Sequence, residues 1–132
     1  MISMTRLTAV TLALFALATF SAVRAEDAKP TDEGKGADFK PKKIEMKDKT
    51  ESALLLTFEA GKEFEATTDG TKETDVHLFV YDEAGKEVGK DDTTGPKCSV
   101  KVTPDKAGKY KFVVKNVKGG DNVVTFAVKV AK

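Results

Sequence analysis

A chain of 132 residues with 22 Lys and Arg against 21 Asp and Glu is too evenly charged to hold a polyanion by bulk electrostatics. Its single cysteine, Cys98, excludes an internal disulfide, and its single histidine, His77, leaves no ligand set for a structural zinc. The length suits one domain with a modest core held by packing alone.

Arg6 gives the N-terminus a positive charge, and residues 7–20 form an apolar run. Val23 and Ala25 then supply modest-sized residues at −3 and −1 of a cleavage site. This pattern predicts a secretory signal peptide over 1–25, removed after Ala25. The mature protein is therefore expected in a periplasm or outside the cell. The run is shorter than the roughly 20 residues that cross a bilayer, so no membrane span is expected after cleavage. Arg6 and Arg24 are the only arginines, so the mature chain relies on lysine. Arginine is the better bidentate ligand for phosphate, and nucleic acid is not expected as a partner.

Residues 26–38 are charged and poor in large apolar side chains. They read as a flexible charged leader that cannot offset its own ordering entropy. The folded domain is expected over 39–132. Ile44 and Met46 have strand spacing, and Phe39 is placed to pin this segment to the domain. The lysines between residues 40 and 49 alternate with Glu45 and Asp48, which reads as a solvated stretch.

From Ser52 onward a period of two dominates. Leu54, Leu56 and Phe58 alternate with Ala53, Leu55 and Thr57. Phe64, Ala66 and Thr68 follow, then Val76, Leu78 and Val80 with His77, Phe79 and Tyr81 on the other face. Glu87-Val88 reads as a short edge strand, and 89–96 as a polar loop. Cys98, Val100 and Val102 share one face, which makes Cys98 a buried small residue. Tyr110, Phe112 and Val114 form the next strand. Gly119-Gly-Asp-Asn122 is a turn signal before a last strand ending at Val130. Three Ala-Gly-Lys triplets, at Ala60, Ala84 and Ala107, fall between these runs. Glycine reaches positive φ without a Cβ clash, so each triplet marks a reversal. Seven to eight short strands without a helical period predict an all-β fold, an antiparallel β-sandwich.

Four stretches carry a resemblance to a known family. Leu54-Leu-Leu-Thr-Phe-Glu-Ala-Gly-Lys is an early strand and Ala-Gly turn. Asp75-Val-His-Leu-Phe-Val-Tyr-Asp82 is similar to an Asp-x-Asp-Leu-x-Val-x-Asp strand, with His77 in place of the second Asp. Asp91-Asp92 stands where an acidic loop lies, and Ala107-Gly-Lys-Tyr110 is similar to an Ala-Gly-x-Tyr strand. Together they resemble the bacterial pre-peptidase C-terminal domain family, small secreted β-sandwiches of jelly-roll type. The resemblance implies a non-catalytic module. Members are usually appended to exported enzymes, and related domains bind extracellular matrix protein.

Candidate chemistry is sparse. Asp75, Asp82, Asp91 and Asp92 would offer hard oxygen donors for calcium if the fold gathered them, calcium being the one cofactor the sequence suggests. The alternative for each is an ordinary turn-capping role. No nucleophile elbow or acid–base pair surrounds His77, Ser52 or Ser99, so no enzyme is expected. Phe79 and Tyr81, with Leu55, Val113 and Val123, fall opposite the cleaner apolar stripe. They form either a binding patch or a second buried face. The expected function is an exported module that binds a protein or an envelope or matrix polymer, such as a polysaccharide. The alternative is a structural or stress-related envelope protein without a specific ligand.

Overall fold

The computed structural model describes residues 29–132. The signal peptide expected over 1–25 lies outside them. Nine strands follow in order: β1 Thr31–Lys35, β2 Lys42–Met46, β3 Glu51–Phe58, β4 Phe64–Asp69, β5 Asp75–Tyr81, β6 Glu87–Asp91, β7 Lys97–Val102, β8 Gly108–Lys118 and β9 Asn122–Val130. They form two facing sheets, ordered β1-β3-β8-β5-β6 and β2-β9-β4-β7. Every pairing is antiparallel except β1 against β3. The expected all-β sandwich is the fold observed.

The alternation read from the sequence sets which side chains meet between the sheets. Leu54, Leu56 and Phe58 of β3 and Phe112 of β8 from one sheet share a buried core with Phe64 and Ala66 of β4 and Phe126 of β9 from the other. Phe58 stacks on Phe64 at 4.0 Å between ring centres, and Phe112 meets Phe126 edge-on at 5.3 Å. Phe39 packs edge-on against Phe126 at 5.6 Å, so it pins the N-terminal segment as its apolar character implied.

The triplets differ in what they turn. Only the second closes a hairpin within one sheet, β5 to β6. Gly85 takes φ +89° there, and the Asp82 carboxylate accepts hydrogen bonds from the N–H groups of Ala84 and Lys86. The first, with Gly61 at φ +83°, carries the chain from one sheet to the other. The third does not itself reverse the chain, because Gly108 is already the first residue of β8. The bend before it lies beside the first corner, where the Gly61 N–H donates to the Pro104 carbonyl at 2.8 Å.

Two expectations need correction. The leader expected over 26–38 is ordered from Thr31, where it forms β1 and a short 3-10 turn at Gly36–Asp38. Its order comes from backbone pairing to the β3 edge, which composition does not register. The polar loop expected from Gly89 begins later, because β6 pairs with β5 as far as Asp91.

Candidate functional site

The outer face of the five-stranded sheet is built by the residues that alternate with the core. Register places them in cross-strand rows. One row runs Ala53, Val113, Phe79, Lys90, the next Leu55, Lys111, Tyr81, and a third Glu51, Lys115, His77. Phe79 and Tyr81 are half-buried, while Ala53 and Val113 are buried. The Lys115 ammonium stands 4.9 Å from the Phe79 ring centre and that of Lys111 stands 5.3 Å from the Tyr81 ring. Ammonium groups at these distances are attracted by the negative ring faces. Val123 does not join this patch, since it sits on β9 in the other sheet, 45% exposed.

Glu51 is the member that sequence reasoning passed over. Its side chain is 8% exposed, and Oε1 lies 3.1 Å from the Lys115 ammonium. Its Oε2 is buried and has no hydrogen-bond partner. The signal was its phase, since Glu51 shares the outward register of Ala53 and Leu55. His77 sits on the same face with Nε2 3.4 Å from Asp75 Oδ1. This is the strand-surface position expected of it.

The four aspartates do not gather. Asp75 and Asp82 stand at opposite ends of β5, about 23 Å apart at strand rise. Asp82 caps the hairpin described above. Asp75 Oδ1 accepts the Gly95 N–H at 3.2 Å. Asp91 accepts from Thr93 N and Oγ1 through Oδ1, and from Ser99 N through Oδ2. Burial pushes the Asp91 carboxyl up, but the donors on Thr93 and Ser99 together outweigh it and its pKa is lowered. Asp92 sits 3.6 Å from the Lys90 ammonium. Among the described residues no group of three or more His, Cys, Asp or Glu converges. Asp82 and Asp91 accept from backbone donors two to four residues on, as turn-capping aspartates do, while Asp75 reaches across to the Gly95 N–H.

Cys98 lies on the inner face of β7, 3% exposed, with its thiol donating to the Val76 carbonyl. Burial pushes its pKa up. A thiol kept protonated and covered reacts slowly. Ellman's reagent at neutral pH is therefore expected to label the native chain at least about 100-fold more slowly than the urea-unfolded chain. Comparable rates would place Cys98 at the surface.

A concavity of 370 Å³ lies at the end of the sandwich between β2 and the start of β9. Asn122 lines it and is braced: its Oδ1 accepts from Thr71 N, and its Nδ2 donates to Thr74 Oγ1 and Asn116 Oδ1. Glu45, Lys47 and Asp121 edge it. This is a braced end without a poised nucleophile.

The sandwich thus pairs a β5 strand bounded by Asp75 and Asp82 with a β8 strand that begins at Gly108 within Ala-Gly-Lys-Tyr. The fold is similar to that of a pre-peptidase C-terminal domain. Such a domain from the collagenase of Bacillus anthracis matches with a TM-score of 0.58 at 13% identity, over 76% of this chain and 95% of that one. A periplasmic inhibitor of g-type lysozyme from Aeromonas hydrophila aligns with a TM-score of 0.49 at 13% identity, over 76% of this chain and 100% of that one. No family model matches the chain, and no curated protein matches it in sequence. At this identity the likeness to a pre-peptidase C-terminal domain is one of fold. Among the described residues no helix is long and apolar enough to cross a membrane.

Proposed function

We propose that this chain is an exported, non-catalytic β-sandwich that binds another protein, or an envelope or matrix polymer, through the Phe79–Tyr81 face. The observation that carries the reading is the pair of half-buried aromatic rings on adjacent rows of one sheet face, each with a lysine ammonium over it. Aromatic side chains on a rigid strand present large contact area at low entropic cost, and lysine stems extend that area. Glu51, paired with Lys115 at 3.1 Å, holds that lysine at the edge of the face.

Phe79→Ser combined with Tyr81→Ser is expected to keep the fold, because neither ring enters the core between the sheets. Loss of one buried aromatic contact costs about 2 kcal/mol, roughly 30-fold in Kd. Photo-crosslinking in the exported fraction is expected to lose its partner with this variant and keep it with Val123→Ser on the other sheet. Equal crosslinking by both variants would overturn the reading. N-terminal sequencing of the exported protein tests the export step, with Glu26 expected as the first residue.

A further inference from the structure

β1 differs from every other strand of the sandwich. Its five residues, Thr31-Asp-Glu-Gly-Lys35, carry no large apolar side chain, and four of them are exposed. The strand it covers, β3, is the apolar Glu51-Ser-Ala-Leu-Leu-Leu-Thr-Phe58. Pairing between them is parallel, and the register slips between Asp32 and Lys35. Apolar burial therefore contributes little to holding β1 in place, and β3 would expose a full backbone edge without it.

Besides its backbone pairing to β3, β1 is held by charge. Glu33 Oε2 lies 2.7 Å from the Lys42 ammonium, and Asp32 Oδ2 lies 2.8 Å from that of Lys109. These are the two shortest ion pairs among the described residues. The lysines come from different sheets, Lys42 from β2 and Lys109 from β8, so they bracket the β3 edge from two sides. The hydrogen bond from Lys109, and one from the Gly34 N–H, hold the Asp32 carboxyl below the usual carboxylate range. Exposed ion pairs stabilise weakly and are screened by salt. Just beyond β1 the chain is anchored, with Gly36 buried against the Phe58 ring and Phe39 against Phe126. The chain thus combines a weakly held strand with a fixed end on which it can swing.

We propose that β1 is a built-in stand-in for a partner strand. The β3 edge, flanked by Lys42 and Lys109, accepts an extended acidic segment of another protein, which displaces β1. Backbone pairing to β3 supplies affinity, as in strand addition to any open sheet edge. Two successive carboxylates supply specificity, because alternate side chains of a strand point to opposite faces. One reaches Lys109 on the outer face and the next reaches Lys42 across the sandwich edge. An apolar residue at the Thr31 position, opposite Leu54, adds burial that β1 lacks. This site stands apart from the Phe79–Tyr81 face and does not depend on it.

The test uses the full mature chain and a fluorescent ten-residue peptide of valines around a central Asp-Glu pair, read by anisotropy. Asp32→Ala with Glu33→Ala removes both ion pairs of β1. That variant is expected to stay folded and to bind the peptide about tenfold more tightly than the parent, because the competing strand is released. Adding Lys42→Ala and Lys109→Ala is expected to reverse the gain. Hydrogen exchange of the parent is expected to show β3 amides bonded to β1 exchanging about 100-fold faster than those bonded to β8. Unfolding of the first variant, absence of peptide binding to it, or binding indifferent to the two lysines would each overturn the proposal.

Discussion

Phe112→Ala is expected to remove about 3–5 kcal/mol of stability, the range for truncating a fully buried phenylalanine. Phe112 has no exposure to solvent and lies on β8, the central strand of its sheet. Its ring sits 6.0 Å from Phe58, 5.6 Å from Phe64 and 5.3 Å from Phe126, all edge-on. Those three rings belong to β3, β4 and β9, so Phe112 joins both sheets. A cavity among side chains fixed on paired strands closes poorly, which places the cost at the upper end of the range. A domain of this size holds about 5–10 kcal/mol in all, and no disulfide supplements it here. The variant should therefore lose half its stability or more. Phe112→Leu keeps most of the volume and is expected to cost under about 1.5 kcal/mol. Urea midpoints at constant slope read both values. A loss below about 1.5 kcal/mol for Phe112→Ala would contradict this packing.

The core was legible because it obeys one rule. Residues such as Leu56, Phe64, Val80 and Phe126 fall at every second position of short runs, and a sandwich buries that set. Which strands pair was not legible, because period two fixes a face and leaves neighbours open. The first and third triplets illustrate the gap: the same Ala-Gly-Lys precedes or follows a change of sheet, while the second closes a hairpin. β1 escaped for a different reason. Composition detects side-chain burial, and Asp32 and Glu33 are ordered by backbone pairing and distant lysines. The candidate face was half-visible. Phe79 and Tyr81 stood out in β5, but the lysines over them come from β8, and Glu51 from β3 gave no sign of losing a partner. The aspartates were ambiguous because capping a turn and binding a cation ask for the same residue type.

Asn116 and Asn122 sit where the sequence offered only the end of a strand and a turn, and Asn116→Asp is expected to be the other severe substitution. Asn116 is buried at the end of β8. Its Nδ2 donates to the carbonyls of Lys47 and Gly120 at 2.9 and 2.8 Å, and its Oδ1 accepts from Asn122 at 3.2 Å. Its backbone N–H donates to Thr50. Through Asn122 the same network reaches Thr71 and Thr74. Two amide groups thereby tie three connections, β2 to β3, β4 to β5 and β8 to β9, at one end of the sandwich. Aspartate has the same shape, so the change isolates the donors from packing. An ionised carboxylate faces two carbonyl oxygens it cannot bond, at a cost of about 2–4 kcal/mol near neutral pH. Burial and those carbonyls raise the pKa of the introduced acid above its unfolded value of about 4. The deficit is then smallest below about pH 4, where the protonated acid regains one O–H donor, and it grows as pH rises through the folded pKa. The melting-temperature gap between the parent and Asn116→Asp is expected to widen from acid to neutral pH. A gap independent of pH would mean that the carboxylate had reached water and that this end of the sandwich is open.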